Sequence, residues 1–282
     1  MNQIPQKAYK DLEFLNSPAA RHIRILCEYE EPRQRLMRHR VHHTIVFFGS
    51  ARTRSGEEAR AMLVEAEAAL ERNPDDATLQ AAFKKAQIFD RMSRYYDDAR
   101  TLARKLTEWS SARTSGRKFV ITSGGGPGIM EAANRGASEA PDGRSVGLGI
   151  SLPFEQGVNR YVTPELAFEF HYFFTRKYWF LYLCKALVIF PGGYGTLDEL
   201  FETLTLVQTG KIKKRLPILL FGAPYWNKVL NLDAMVEYGT IGPDDAKLVH
   251  KTDDVDEAFA WLVQRLDESG TQPTFPAETD PP

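Results

Sequence analysis

Short, continuously apolar runs alternate along the chain with longer segments whose apolar residues recur at helical spacing. Apolar runs of roughly four to eight residues are typical of strands buried on both faces, and helices between them supply the crossovers of a parallel sheet. The pattern therefore predicts an α/β fold with a doubly wound, Rossmann-like parallel sheet. The predicted strands are residues 43–50, 118–123, 145–152, 167–173, 186–190, 216–221 and 247–250.

The segment between the first two predicted strands is longer than a crossover helix requires. Residues 57–111 have a helical pattern except at residues 73–76, Asn-Pro-Asp-Asp, which end one helix and cap the next. This pattern predicts a helical hairpin, inserted over about residues 57–95. Further helices are predicted at residues 129–140, about 175–184, 197–210, 225–238 and 255–266.

Three parts of the chain are predicted to differ in character. Residues 1–42 form a helical N-terminal extension, residues 43–268 a Rossmann-like nucleotide-binding domain, and the proline-rich residues 269–282 a disordered tail. A chain of 282 residues can bury a large core without disulfides. Its two cysteines, Cys27 and Cys184, lack metal-ligand or CxxC spacing and are expected to be reduced packing residues.

Charge and hydropathy exclude several classes of partner. The net charge is −1, which argues against nucleic acid or an anionic membrane as a partner. An arginine cluster within residues 33–40 stands beside glutamates, as on a solvated helix face or a subunit contact. The N-terminus lacks the apolar core of a secretory signal, and the longest apolar stretch, residues 178–190, is too short to span a bilayer. We therefore expect a cytoplasmic protein.

The most informative segment is PGGYGT, at residues 191–196, between a predicted strand and a predicted helix. Its glycines leave backbone amides accessible and the helix start carries partial positive charge, which together predict a phosphate site. An alternative stays open, because Thr196 and Glu199 have the T-x-x-E spacing of a capping box, in which Glu199 only bonds a backbone amide. The candidate phosphate-binding residues are Gly192, Gly193, Tyr194, Gly195 and Thr196.

A second glycine run, GGGPG at residues 124–128, follows another predicted strand. Ile129 replaces the third glycine of the dinucleotide fingerprint, and no carboxylate ends the next strand, which disfavours a dinucleotide site. Neither loop continues into Gly-Lys-Ser/Thr, which argues against a nucleoside triphosphatase. Since both loops follow parallel strands, we expect them to face one crevice, with Gly125 and Gly126 as candidate substrate contacts.

Polar and charged side chains stand near the same strand ends. Arg176 and Lys177 follow a predicted strand, where a guanidinium can bind an anion or orient a carboxylate, although solvated cations at a helix start have the same pattern. Glu131 is a candidate either for substrate contact or for helix capping. Ser50, after the first strand, is a candidate phosphate contact or an ordinary loop residue. No histidine has the partner spacing of a zinc site.

The combination of GGGPGIMEAANRGA, Arg176-Lys177 and PGGYGTLDE resembles the Lonely Guy (LOG) family of cytokinin-activating phosphoribohydrolases, often mislabelled lysine decarboxylases, over roughly residues 43–250. The extension and hairpin look more like its longer bacterial members. The resemblance implies hydrolysis of nucleoside 5′-monophosphates, AMP and N6-modified AMP included, to free base and ribose 5-phosphate without metal or organic cofactor. It implies Arg176 and Glu199 as the catalytic pair, residues 192–196 as the phosphate loop, and a homodimer or larger homo-oligomer.

Three other functions stay open on the sequence. A non-catalytic carrier of a nucleotide or of molybdenum cofactor would use the same glycine loop only for binding. A pyridoxal-phosphate lysine decarboxylase would need a Schiff-base lysine, and the sequence has no S-x-H-K-like segment to supply it. A structural or interaction protein would be built around the helical hairpin.

Overall fold

A seven-stranded parallel sheet lies at the centre of the protein. The computed structural model describes residues 5–113, 117–152, 157–212 and 216–268. The strands are β1 (Thr44–Phe48), β2 (Val120–Ser123), β3 (Ser145–Ile150), β4 (Ala167–Phe170), β5 (Cys184–Ile189), β6 (Ile218–Phe221) and β7 (Val249–Thr252). Their order across the sheet is β4-β3-β2-β1-β5-β6-β7, and each neighbouring pair is parallel. The predicted doubly wound α/β fold is therefore confirmed.

Helices cover both faces of this sheet. The predicted break in the long helical segment is confirmed, because one helix ends at Arg72 and the next is capped by the Asp76 carboxylate, which accepts the amides of Thr78 and Leu79. The helices are α1 (Leu12–Asn16), α2 (Arg21–Arg38), α3 (Gly56–Arg72), α4 (Ala77–Ser111), α5 (Ile129–Ser138), α6 (Phe173–Tyr182), α7 (Tyr194–Gln208), α8 (Ala223–Val229), α9 (Leu232–Glu237) and α10 (Val255–Glu268).

Alternation of side chains along the strands creates two cores. On β1, Ile45 and Phe47 pack with residues of α4, α5 and α10, whereas Val46 and Phe48 pack with residues of α6, α7 and α8. All four side chains are buried. Because the central strands β1, β5 and β6 are buried on both sides, the sheet is stable only when helices cover both faces.

The predicted helix over residues 225–238 was wrong. The chain leaves the helical conformation at Leu230, and α9 starts anew after Asn231, whose side chain accepts the Ala234 amide. Asparagine favours such N-cap positions because its side-chain oxygen satisfies an amide that the helix leaves free. The last strand also begins two residues later than predicted, at Val249, after a 3₁₀ turn.

The start of α6 differs from prediction in a way that affects the site. The helix begins at Phe173 and not near residue 175, so Arg176 and Lys177 lie three and four residues inside it and not at its first residues. β4 correspondingly ends at Phe170, before the predicted residue 173.

The N-terminal segment is attached to the sheet through α2. Arg35 donates from Nη1 to the carbonyl oxygen of Ala167 at 2.8 Å, and its guanidinium lies 3.9 Å from the Phe168 ring centroid. These contacts attach α2 to β4, an edge strand. The predicted tail, residues 269–282, lies outside the described residues. Within the described ranges, no helix is both long enough and apolar enough to cross a membrane.

Candidate functional site

A cavity of about 1200 Å³ lies where the loops after β1, β2, β3 and β5 meet. Strands β1 and β5 are neighbours, but the chain continues from β1 toward β4 and from β5 toward β7. Such a reversal opens a crevice at the carboxyl ends of the strands, the usual ligand site in this class of sheet. The wall includes Gly124 and Gly126 as well as residues 191–197. The expectation that both glycine runs face one crevice is therefore confirmed.

The PGGYGT loop presents the N-terminus of α7 to this cavity. A Cβ added at Gly193 or Gly195 would meet no atom within 4 Å, so nothing obstructs the approach of a ligand to the backbone there. Gly192 has the opposite role: a Cβ would come within 2.1 Å of Thr196 Oγ1. The Tyr225 hydroxyl also donates to the Gly192 carbonyl at 2.7 Å. The loop is thus fixed on one side and open on the other, as an anion site requires.

The capping-box interpretation of Thr196 and Glu199 was wrong. Helix α7 begins at Tyr194 and its N-cap is Gly193, which makes no side-chain capping bond. Thr196 therefore lies inside the first turn, where its hydroxyl cannot act as an N-cap, and Glu199 is one turn further along. Glu199 lines the cavity instead.

Glu199 is a buried carboxyl group with an unusual pKa. Its side chain is 5% exposed, and no hydrogen-bond partner for its buried Oε2 exists among the described residues. Burial raises the pKa of Glu199 to about 7, against the opposing effect of the positive charges of Lys177 and then Arg176. Near neutral pH the protonated and ionised forms are therefore both well populated, as suits a group that gives or takes a proton.

Arg176 faces the same cavity from α6. Its guanidinium lies 5.1 Å from the Phe173 ring centroid and 5.6 Å from that of Phe180, both on the same helix. Burial lowers the pKa of Arg176, and the charge of Glu199 opposes that effect. Within the described part of the chain, Arg176 forms no ion pair with a carboxylate, Glu199 included. Its guanidinium is thus available to a ligand in the cavity.

Lys177 does not line the cavity, unlike the other predicted contacts on α6 and α7. Its Nζ lies 2.8 Å from Asp198 Oδ2 and 2.7 Å from Glu202 Oε2, both on α7. The pKa of Lys177 is raised because these bonds outweigh the effect of burial. Lys177 therefore joins α6 to α7, and the structure gives it no direct place at a substrate.

Gly125 and Glu131 are also absent from the cavity wall. The Gly125 amide donates to Ser123 Oγ at 3.0 Å, and its carbonyl accepts from Asn159 Nδ2 at 2.9 Å. Glu131 Oε1 accepts a hydrogen bond from the Tyr96 hydroxyl at 2.7 Å. Both predicted residues hold the second glycine run and α5 in place, while neighbouring Gly126 reaches the cavity.

Ser50 lies in the cavity wall, as the candidate assignment requires. Its amide donates to the Pro191 carbonyl at 3.0 Å, and its own carbonyl accepts from Ile129 at 3.1 Å. Its Oγ accepts from the Arg52 amide at 3.1 Å. Ser50 thus links the loop after β1 to both glycine runs.

Sequence reasoning missed one whole wall of the cavity. Four residues of α4 line it, at i, i+3, i+4 and i+7 spacing: Lys85, Ile88, Phe89 and Met92. We call them the α4 wall. Their spacing indicates one helical face, but it does not reveal what that face covers. The cavity wall contains four positively charged side chains and one carboxyl group, so its lining carries an excess of positive charge. The cations are Arg52, Arg54, Lys85 and Arg176, and the carboxyl group is that of Glu199.

The part of the chain that carries this site is similar to known proteins. Residues 130–262 match the family model described as a possible lysine decarboxylase. Over 84 residues the chain is 36% identical to cytokinin riboside 5′-monophosphate phosphoribohydrolase LOG3 of Arabidopsis thaliana, covering 29% of this chain and 37% of that protein. The resemblance to the Lonely Guy family is confirmed.

A second curated relative is similar to this chain to about the same extent. The chain is 34% identical over 84 residues to the probable phosphoribohydrolase LOGL3 of Oryza sativa subsp. japonica, covering 29% of this chain and 37% of the relative. The matches thus span little more than a third of the length of these relatives. Among solved structures, a molybdenum cofactor binding protein from Rippkaea orientalis is 17% identical, with a TM-score of 0.41, over 60% of this chain and 86% of that one.

Proposed function

We propose that this protein hydrolyses the N-glycosidic bond of nucleoside 5′-monophosphates, AMP and N6-modified AMP among them, to the free base and ribose 5-phosphate. The observation that carries the proposal is the presence of three groups in one cavity: an open helix N-terminus, the buried Glu199 carboxyl and the Arg176 guanidinium. The names of the Lonely Guy relatives support the same reaction class.

The 5′-phosphate binds at the start of α7 in this proposal. The open amides at Gly193 and Gly195 supply hydrogen bonds, and the helix N-terminus supplies partial positive charge. The surplus of cations in the lining favours a dianionic ligand. Held away from the reacting carbon, the phosphate contributes binding energy that positions the sugar.

The sugar lies between Arg176 and Glu199. As the bond from C1′ to the base nitrogen breaks, positive charge develops on the ribose ring, and an ionised Glu199 stabilises it. The C1′–N bond breaks with its electron pair going to the base, which takes up a proton from solvent. The same carboxylate accepts a proton from the water that attacks C1′ and afterwards returns it to solvent, so that one water is consumed per base released. Arg176 binds the ribose hydroxyls or the base and keeps the reacting carbon beside Glu199.

The base lies against the α4 wall. Ile88, Phe89 and Met92 form an apolar surface that a planar purine can cover, and Phe89 offers an aromatic ring for stacking. Ile88 is 49% exposed, a substantial apolar area for one side chain to leave in water. An apolar wall of this kind accommodates a base that carries an additional apolar group, as N6-modified adenine does.

The experiment that tests the proposal is incubation of the purified protein with AMP, an N6-alkylated AMP, GMP, CMP and unphosphorylated adenosine. Free base and ribose 5-phosphate are separated by chromatography. We expect base release from AMP or its N6-modified form and at least about 100-fold slower release from adenosine, because the phosphate contributes to positioning. Binding of the monophosphates without release of base from any of them would contradict the proposal and indicate a carrier.

Replacement of Lys177 by methionine is expected to move the pH dependence of base release to higher pH. Lys177 lowers the pKa of Glu199, while Glu202 and Asp198 raise it, so loss of the lysine raises that pKa above about 7. If ionised Glu199 is the active form, the ratio of kcat/KM at pH 6 to kcat/KM at pH 8.5 falls in the variant. Lys228→Met, at an exposed position on α8, is the matched control and should keep the wild-type ratio. An unchanged ratio in Lys177→Met would contradict this role.

A further inference from the structure

The helix that carries Arg176 lacks a cap from its own residues. Its N-cap is Tyr172, which makes no side-chain capping bond, and no acidic residue lies in its first turn. Unsatisfied groups and partial positive charge at a helix start are normally met by a nearby oxygen or carboxylate. In this protein, the carboxylate comes from Glu28 on α2, far away in sequence.

Both oxygens of the Glu28 carboxylate contact the start of α6. Oε1 accepts from the His171 amide at 2.7 Å, and Oε2 accepts from the Tyr172 amide at 3.4 Å and from the Thr175 hydroxyl. Since carboxylates accept stronger hydrogen bonds than neutral groups do, this set fixes where α6 begins.

The contact between α2 and α6 continues beyond this cap. The Trp179 indole Nε1 donates to the backbone carbonyl of Glu28 at 2.9 Å. The Tyr29 and Tyr178 rings meet edge to face, with centroids 5.1 Å apart. Arg176 lies between the capped start of α6 and these two contacts, so α2 holds the helix on both sides of it.

Arg176 depends on this support because it has few polar anchors of its own. In the described residues its buried Nε has no hydrogen-bond partner, and its guanidinium lies between two phenylalanine rings of the same helix. The position of the guanidinium is therefore set by the backbone of α6. A small shift of that backbone moves Arg176 relative to Glu199.

We propose that Glu28 is a positioning residue that places Arg176 for catalysis, which makes the N-terminal helix α2 part of the active machinery. This inference rests on the proposed function. Glu28 lies outside the matched residues 130–262, so the motif of the site and the residue that orients it come from different parts of the chain.

The test is a double-mutant cycle between Glu28→Gln and Arg176→Lys, with kcat and KM for AMP measured on each protein. Glutamine keeps the shape of Glu28 but replaces one acceptor oxygen by a donor. We expect Glu28→Gln to lower kcat roughly 10-fold and to change KM less than about 2-fold, since in the proposed function most of the binding energy comes from the phosphate loop, which is not touched. In the Arg176→Lys background the same change should lower kcat by less than about 2-fold, because the group it positions is already altered.

Two further variants separate positioning from general stability. Glu30→Gln, on the same helix but paired with Arg33 at the surface, should keep wild-type kcat. Thr175→Val removes one bond to Glu28 while keeping the carboxylate, and should lower kcat by about 3-fold.

Each outcome distinguishes the inference from the proposed function. A wild-type kcat in Glu28→Gln, or an equal loss in both Arg176 backgrounds, would overturn the positioning role even if wild-type protein hydrolyses AMP. Absence of base release by the wild-type protein from every monophosphate would overturn the proposed function and this inference together.

Discussion

Glu199→Gln is expected to lower kcat for base release about 10³-fold while the protein remains folded. Glutamine has nearly the same shape, but it can neither carry the negative charge that the proposed mechanism places beside the ribose ring nor accept a proton from water. KM for the nucleotide should change little, because in the proposed binding mode the phosphate contacts the start of α7 and not residue 199. The measurement is steady-state release of free base from AMP at pH 8, where most of the wild-type carboxyl is ionised.

The control for this variant is Glu237→Gln, at an exposed position near the end of α9. It removes a carboxylate from the same protein without touching the cavity and should retain wild-type kcat. Retention of more than about a tenth of wild-type kcat in Glu199→Gln would exclude Glu199 as the base.

The same substitution is expected to change how stability depends on pH. Because the pKa of Glu199 rises from its ordinary 4.5 to about 7 on folding, the folded state holds a proton that the unfolded chain releases. Wild-type stability conferred by this carboxyl is complete below about pH 4.5 and is lost as the pH rises through about 7. Glu199→Gln lacks this loss. Its unfolding free energy, relative to that of the wild type, therefore increases by about 3 kcal/mol between pH 4 and pH 9.

The measurement is urea unfolding of both proteins at a series of pH values, compared as the difference in unfolding free energy. Burying the glutamine amide also costs free energy, but this cost does not change with pH. The informative quantity is therefore how the difference in unfolding free energy between the two proteins varies with pH. Parallel stability curves across this range would show that Glu199 ionises normally in the folded protein. This test does not depend on turnover, so it examines the buried carboxyl whatever the protein binds.

Local signals in the sequence were sufficient for the central part of the site. The apolar run of β5 followed by PGGYGT predicts a strand, a tight loop and a helix start, and the structure has all three in that order. The proline and aspartates at residues 73–76 likewise identify the turn between α3 and α4. In both places the residues that determine the conformation are adjacent in the chain.

The features that were missed depend on residues distant in sequence. Helix α6 starts earlier than predicted, where Glu28 supplies a cap that no residue near 173 indicates. The capping-box pattern at Thr196 was misleading because Gly193 already forms the helix boundary. The split at Leu230 differs from these, because its signal is local: Asn231, the next residue, caps α9.

Helix α4 contributes to both the protein core and the cavity wall. With 35 residues it is about 52 Å long. In its later part, Leu102 and Leu106 are fully buried against the sheet, while the stretch from Lys85 to Met92 borders the cavity. We therefore expect mutations in that earlier stretch to change which ligands the cavity accepts, while the sheet and the Glu199 carboxyl stay in place. In the proposed reaction, ligand choice and bond cleavage are therefore encoded in separate segments of the polypeptide, and evolution can alter the first without disturbing the second.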